Sequence, residues 1–516
     1  MNLVDAVRKW ANLTPDQTVI VDSTKNLRVT FAELLDKTIR LSNGFESLGL
    51  AKGDRVAVLS ANSTEYFEIY YACAMLGLIT QPINWRLSAE EIVRIIEDGT
   101  PSVFVCQEQF IDLKNEVQRR AQTKTIYLEY GEKTDGSYER LVMSASAEDR
   151  NHDIGDADPA LILYTGGTTG LSKGALHTHH SLYMGMINQT VAERIVPSDV
   201  YMLTGQMFHI PVALAMNYIA HGCPCVLMNF DARVALELIE KEKVSAFLGI
   251  TTMLNWMMAV ENFESYDISS LRNIQYGGGP MPETVVKAAL KAFPCTIIQG
   301  YGQTEGMTMA FLSQEDHQRA INGEKTERLN SCGREGFVTR IRIVDDEGID
   351  VLKDSITSGE IIVKSEANMV GYWGKPELTA EIMKDGWMWT GDIATWDQDG
   401  YVFIVDRSKD MIISGGENIY STQVESAIHK HNGVLECAVI GIPDDEWGEA
   451  VKAVVVMKPG ASTTEEDIIA TAALHLASYQ KPKSVDFVDS LPKAPTGKIL
   501  KRDLRDPYWN RKGKNV

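Results

Sequence analysis

"YTGGTTGLSKGALHTH" runs from Tyr164 to His179 and carries four glycines, four threonines and one lysine, Lys173. It follows the apolar run "ALILY", which ends on Tyr164, so a buried strand leads into it. So many glycines cannot sit stably inside a strand or helix, so Thr165 to Gly174 reads as loop. Glycines let backbone amides approach an anion, and threonine hydroxyls add donors. Lys173 supplies a point charge on a long stem. The Walker pattern G-x-x-x-x-G-K-[ST] is the obvious comparison, and it fails. Leu171 and Ser172 follow Gly170, so the lysine arrives late, and Gly174 follows it where serine or threonine is required. A surface loop without a ligand is the plain alternative.

The surroundings of this loop repeat a helix–strand rhythm. Thr30 and Glu33 have capping-box spacing, and Leu34, Leu41, Phe45 and Leu48 fall on one helical face before Gly49. "RVAVL" (Arg55 to Leu59) follows, then "YFEIYYACAML", "SVFVC", "ALILY", "CVLMN", "SAFLGI", "NIQYG" and "TIIQG". Short continuous apolar strands alternating with helices predict parallel sheets covered on both faces. Later, "TRIRIVDDEG", "GEIIVKS" and "YVFIVDR" alternate in polarity and predict a smaller antiparallel subdomain. Beyond "DRSKD" (Asp406 to Asp410) lie "ECAVIGIPD", "EAVKAVVVMKPG", a helix from Thr464 to Leu476 and "SVDFVDS". They predict an α+β unit of roughly 100 residues. The expectation is an α/β protein. Residues 1–406 form a large N-terminal domain with two parallel-type αβ subdomains and a smaller β subdomain. Residues 407–516 form a small α+β C-terminal domain. For "DRSKD", an ordinary loop within one domain is the plain alternative.

Bulk properties narrow the function classes. The 516 residues are 44% hydrophobic and 23% charged, with a net charge of −20. An acidic balance argues against broad nucleic-acid binding and against a polybasic membrane surface. The seven cysteines are odd in number and scattered, which argues against a disulfide framework and suits a reducing cytoplasm. Cys223 and Cys225 form a lone C-x-C without a second pair nearby, so packed thiols are favoured over a metal site. No signal peptide, membrane span or C-terminal targeting signal is read from the sequence.

"YTGGTTGLSKG" resembles the signature loop of the adenylate-forming enzymes: acyl- and aryl-CoA ligases, adenylation domains and luciferases. Further matches follow in that family's order. They are "GGGP" from Gly277, "QGYGQTE" from Gln299, "GYWGKPE" from Gly371, "TGD" from Thr390, "DRSKDMIISGGENIY" from Asp406 and "PKAPTGKILKRDLR" from Pro492. Together they span most of the chain, and they are most like those of a bacterial-type acyl-CoA ligase.

The resemblance implies a role for each matched residue. Thr165, Gly166, Gly167, Thr168, Thr169, Gly170 and Lys173 would hold the β- and γ-phosphates of ATP. Gly278, Gly279 and Pro280 would line the adenine and acyl sites. Gln299, Gly300, Tyr301 and Gly302 would border the nucleotide, with Tyr301 on the adenine face. Thr304 would donate to the α-phosphate, and Glu305 would help hold Mg²⁺, a hard cation suited to carboxylate and phosphate oxygens. Asp392 would accept from the ribose hydroxyls, and Arg407 would reach the same sugar. Lys498, the lysine of "PTGK", would be the catalytic lysine, its ammonium between the attacking carboxylate and the α-phosphate. The C-terminal domain would be mobile and would turn about Lys409. That turn would withdraw Lys498 and bring Gly415 and Gly416 to the channel for a thiol arm. Taken singly, Tyr301 could be core, Glu305 a surface charge, Asp392 a turn residue, and Lys493 or Lys501 mere neighbours of a solvated basic cluster.

"QMFHIPVALAMN" (Gln206 to Asn217) resembles the segment whose histidine stands at the mouth of the acyl pocket. His209 fits that place, and simple packing is its plain reading. Val212, Met216, Trp256, Gly279, Met307, Thr308 and Met309 are the candidate pocket residues. They are mostly apolar, and the methionines among them adapt to irregular shapes. Gly279 stands where many relatives carry alanine, and Trp389 replaces a common histidine. The expectation is an ATP-dependent acyl-CoA ligase using ATP, Mg²⁺ and CoA. Its acid is apolar: short- or medium-chain fatty, aryl or alicyclic. A stand-alone adenylation enzyme that loads a carrier protein is the alternative, and a non-catalytic nucleotide-binding scaffold is a second. The expected partners are a small carboxylic acid, ATP and CoA, with no nucleic acid, in the cytoplasm; a homodimer is carried as an option.

Overall fold

An apolar run without polar alternation must be covered on both faces, and such runs form the parallel strands of this protein. The computed structural model describes residues 2–132, 136–165, 172–279, 281–415, 417–493 and 499–509. The described residues gather into two units. The first comprises 2–341 and 363–388, and the second 342–362 and 389–509.

The first unit holds two large sheets. One has seven strands, in the order Gly371–Tyr372, Lys173–Thr178, Pro159–Thr165, Ile79–Ile83, Arg55–Leu59, Val103–Gln107 and Ile126–Tyr130. Its first two pairings are antiparallel and the rest parallel. The other has nine strands, from Arg334–Glu335 and Met307–Leu312 through Thr296–Gln303 and Asn273–Gly277 to Thr18–Asp22 and Leu27–Thr30. Its six central strands are parallel. The helix Thr64–Leu76 buries all but one of its residues and shares a core cluster with side chains of both sheets. A helix buried nearly all round belongs in such an interior. The capping box at Thr30 and Glu33 is formed, starting the helix Phe31–Ser47. Leu34, Leu41 and Phe45 of that helix are fully buried.

Of the alternating strands, Thr339–Val344 and Gly359–Ser365 are divided between the units, and Val402–Arg407 lies in the second. Trp387–Trp396, which begins in the first unit, pairs antiparallel with Val402–Arg407. Further along the chain, Val434–Asp444 pairs antiparallel with Gly448–Met457, and Ser484–Phe487 joins the latter in parallel. The helices Ser421–Ile428 and Glu465–Ala473 cover one face of this sheet through Val424, Ile428, Ile468 and Ala472. Leu491, Leu504 and Tyr508 pack on the other. Thr464, the first residue of the predicted span, is the cap of the second helix rather than part of it. All seven cysteines are free, and Cys223 and Cys225 are buried. Among the described residues, no helix is long and apolar enough to cross a membrane.

Candidate active site

Thr304 and Glu305 sit at the tip of a hairpin. The strands Thr296–Gln303 and Met307–Leu312 pair antiparallel, with Gln303 opposite Met307, so only residues 304 to 306 remain to turn the chain. Met307 leaves the turn with φ 56°, a left-handed conformation rare for a non-glycine residue. Gly302 lies beside a register shift, and a Cβ there would stand 1.9 Å from the Met307 carbonyl oxygen. Glycine is required for the strands to approach so closely. Tyr301 is buried. The next strand, Asn273–Gly277, runs parallel, with Gly277 opposite Gly300. Gly278 follows with φ 77°, and Gly279 faces open space, since a Cβ there meets nothing within 4 Å.

The glycine–threonine stretch begins and ends on neighbouring strands. Thr165 lies opposite Lys173, and its hydroxyl is 3.4 Å from the Lys173 carbonyl oxygen. Tyr164 just before it donates its hydroxyl to Asp98 Oδ2 at 2.8 Å, and Lys375 pairs with the same carboxylate. Burial and the Asp98 charge push the Tyr164 phenol far up, so it stays protonated. Gly166, Gly167, Thr168, Thr169 and Gly170 lie outside the described residues, as do Pro280, Gly416 and Lys498.

The strand Lys173–Thr178 reaches the hairpin tip. His177 is wholly buried, and its Nε2–H donates to the Thr304 carbonyl oxygen at 2.8 Å. Burial lowers its pKa to about 4, so it is neutral. The Lys173 ammonium lies over the Tyr372 ring, 5.1 Å from its centre, and the Tyr372 hydroxyl donates to Glu305 Oε1 at 2.8 Å. The Met369 amide donates to the Glu305 carbonyl oxygen at 2.7 Å. Lys173, Thr304 and Glu305 are thus gathered by shared neighbours. An ammonium, a hydroxyl and a carboxylate in one place suit a polyphosphate and its cation.

The pocket candidates divide. His209 precedes the helix Pro211–Ala220, on which Val212 and Met216 lie one turn apart and are buried. Val212, Met216 and Met307 belong to one buried cluster. The His209 Nδ1 accepts from the Ile210 amide at 3.0 Å, so any ring proton of the neutral form is on Nε2. Burial lowers its pKa. Met309 stands beside Gly306, and the Thr308 side chain beside Gly300. Trp256 is 60% exposed and stacks on Phe230, 6.3 Å between centres.

In the second unit, Asp392 and Arg407 face each other across the antiparallel pair, with Arg407 Nε 2.5 Å from Asp392 Oδ1. Asp392 is 3% exposed. Lys409 lies in the short turn Ser408–Asp410, and its carbonyl oxygen accepts from Arg505 at 2.8 Å. Gly415 has φ 61°, and a Cβ there would stand 2.5 Å from the Trp447 ring.

Among the described residues, no group of three or more His, Cys, Asp or Glu could hold a metal by itself. Glu305 is a single hard carboxylate beside a threonine. That donor set fits Mg²⁺, which binds through one or two carboxylates plus substrate phosphates.

Sequence reasoning missed Tyr372, His177 and Asp98. Tyr372 lies within the quoted "GYWGKPE". His177 shares the two-residue strand period with Lys173, a signal that was present. Asp98 ends a helix and carries no motif at all.

Comparison with known proteins shows the family. The family model for AMP-binding enzymes matches residues 7–373, and that for the AMP-binding enzyme C-terminal domain matches residues 423–498. A feruloyl-CoA synthase from Amycolatopsis is 35% identical over 96% of this chain and 96% of its own. A fatty acid–[acyl-carrier-protein] ligase from Streptomyces coeruleorubidus is 33% identical over 95% of this chain and 93% of its own. The crystal structure of ATP-bound MatB from Rhodopseudomonas palustris superposes with a TM-score of 0.87 at 28% identity, covering 98% and 99% of the two chains. The chain therefore belongs to the AMP-binding enzymes, as an AMP-forming acid–thiol ligase.

Proposed function

We propose that the chain activates an apolar carboxylic acid with ATP and passes the acyl group to CoA. In the first step a carboxylate oxygen attacks the α-phosphorus, the bond to the β-phosphate oxygen breaks, and pyrophosphate leaves. In the second, the CoA sulfur attacks the acyl carbon, AMP leaves, and the thiol proton passes to solvent. The observation that carries this reading is the gathering of Lys173, Thr304 and Glu305 around Tyr372 and His177.

In this reading Lys173, with Thr165, Gly166, Gly167, Thr168, Thr169 and Gly170, holds the β- and γ-phosphates. Thr304 donates to the α-phosphate. Mg²⁺, held by Glu305 and the phosphates, would neutralise charge on the triphosphate. Tyr301 packs on adenine, bordered by Gln299, Gly300 and Gly302, and Asp392 and Arg407 take the ribose. Lys498 stabilises the charge that develops at the α-phosphate during attack. Division into 1–406 and 407–516, with a pivot at Lys409, would let the same carbonyl meet first Lys498 and then a thiol beside Gly415 and Gly416. His209, at the start of the helix that carries Val212 and Met216, contacts the acid. The apolar character of Val212, Met216, Met307 and Met309 supports an apolar acid, and Gly279 leaves room for a bulky one.

A carrier-protein acceptor is the second reading, favoured by the relative named as an acyl-carrier-protein ligase. The test is acid-dependent exchange of labelled pyrophosphate into ATP over linear, aromatic and alicyclic acids, followed by thioester formation with CoA and with carrier proteins. Exchange with an apolar acid and thioester with CoA is the expected result. No exchange with any acid would refute the activation step. Transfer to carriers alone would refute the acceptor.

A further inference from the structure

Tyr372 joins the two halves of the triphosphate-binding group. Its backbone belongs to the phosphate-loop side. Gly371–Tyr372 pairs antiparallel with Lys173–Thr178, placing Tyr372 opposite Ala175. The Trp373 amide donates to the Gly174 carbonyl at 2.7 Å, and the Val370 amide to the Leu176 carbonyl at 2.9 Å. The Tyr372 amide itself donates to Thr379 Oγ1 at 2.9 Å, which fixes the other edge of this short strand. The side chain belongs to the hairpin side, through its 2.8 Å bond to Glu305.

Packing alone does not call for this residue. The ring shares a small apolar cluster with Ala175 and Met369, against which Leu378 and Ile382 pack, a setting that phenylalanine would fill equally well. The residue is 8% exposed, so its hydroxyl needs a partner. The partner is the carboxylate assigned to the metal, and the bond is charge-assisted. It restrains a side chain with three rotatable bonds before any ligand arrives, which removes an ordering cost from binding. The ring face meanwhile attracts the Lys173 ammonium, a cation–π contact. One side chain thus keeps a carboxylate at its rim and an ammonium over its face.

We propose that Tyr372 is a positioning residue of the adenylation half-reaction, its hydroxyl setting the Glu305 carboxylate and its ring setting the Lys173 ammonium for the metal–triphosphate. This inference rests on the proposed reading of Lys173, Thr304 and Glu305 as triphosphate-binding groups. His177 performs the complementary task on the backbone, since its bond to the Thr304 carbonyl holds the same turn from the same strand.

The two functions of the ring separate by substitution. Tyr372→Phe keeps the ring and the packing and removes only the hydroxyl. Tyr372→Leu removes both. Mn²⁺ binding to the intact enzyme with a non-hydrolysable ATP analogue is read by electron paramagnetic resonance. Mg²⁺ dependence is read in pyrophosphate exchange. For Tyr372→Phe, Mn²⁺ affinity falls about 10-fold, and the Mg²⁺ requirement rises by a similar factor, as expected for one charge-assisted hydrogen bond. Thioester formation from supplied acyl-AMP stays within about twofold of wild type, because that step uses no triphosphate. Tyr372→Leu additionally raises the KM for ATP. In a Glu305→Gln background, Tyr372→Phe has no further effect on Mn²⁺ binding, since the two act as one unit.

Unchanged Mn²⁺ affinity in Tyr372→Phe overturns the inference. So does an equal loss in both half-reactions together with a lower unfolding temperature, which marks a merely structural role. Additive effects of Tyr372→Phe and Glu305→Gln overturn it as well. The parent reading fails separately: it falls if the wild-type enzyme shows no acid-dependent exchange, whereas an exchanging wild type with an indifferent Tyr372→Phe variant sinks this inference alone.

Discussion

Replacing a glycine by alanine adds one methyl group, yet two glycines of this site answer that change in opposite ways. At Gly302 the new Cβ would stand 1.9 Å from the Met307 carbonyl oxygen, 2.8 Å from its carbon and 2.9 Å from the Thr308 Cα. All three atoms are backbone, so no side chain can swing aside. The hairpin strands must separate by about 1 Å to restore ordinary contact, at a cost of about 3 kcal/mol. The distortion falls two residues before Thr304 and three before Glu305. A misplacement of about 1 Å at groups that position a substrate lowers the rate about 100-fold. At Gly279 the added Cβ meets nothing within 4 Å, so Gly279→Ala changes stability by less than about 0.5 kcal/mol. Its effect falls on the choice of acid: bulky acids lose relative to small ones. Thermal unfolding with acid-dependent pyrophosphate exchange, run on both variants, tests the pair. A Gly302→Ala enzyme that melts and exchanges like wild type would refute the close-approach argument. A Gly279→Ala enzyme that unfolds early would refute the claim of open space.

Two further predictions address other parts of the molecule. Glu193 is 1% exposed, and it accepts from Tyr218 and Gln189 at 2.5 Å each. Burial raises its pKa from 4.5 to about 7, so the folded protein holds a proton that the unfolded chain releases. The resulting stability is fully present below pH 4.5 and lost as the pH rises through 7, by about 3 kcal/mol in all. Glu193→Gln should therefore flatten stability between pH 5 and pH 8 in denaturant titrations, on the order of that amount; an unaltered pH slope would count against it. Lys498→Ala should abolish adenylate formation while largely sparing thioester formation from supplied acyl-AMP. Equal loss of both half-reactions, followed by thioester and pyrophosphate assays, would rule out the separate use of Lys498.

Much of the fold was legible in the sequence because its strands are short, apolar and separated by well-marked helices. The run Arg55–Leu59 and its neighbours sit where continuous burial demands, in the parallel parts of the two large sheets. The capping signal at Thr30 and Glu33 is local chemistry, complete within four residues, and the cap forms. The helix expected over Thr464 to Leu476 is shorter, Glu465–Ala473, because a helix end depends on what it packs against. Trp256 stacks on Phe230 and is 60% exposed, a neighbour and an exposure that packing across the chain decides and no local motif announces.

The amino-acid order by itself determined which chemical groups are present and in what sequence they come. A glycine–threonine stretch, a Thr-Glu pair and a late Pro-Thr-Gly-Lys, in that order, carry the resemblance to the adenylate-forming enzymes, since each motif is read within a few residues. Only the tertiary structure decided what holds those groups in place. Tyr372 lies 67 residues from the Glu305 it bonds, and His177 lies 127 residues from Thr304. Such partners are chosen by sheet pairing across the chain, and hydrogen bonds form between atoms that meet in space, whatever their separation along the polypeptide.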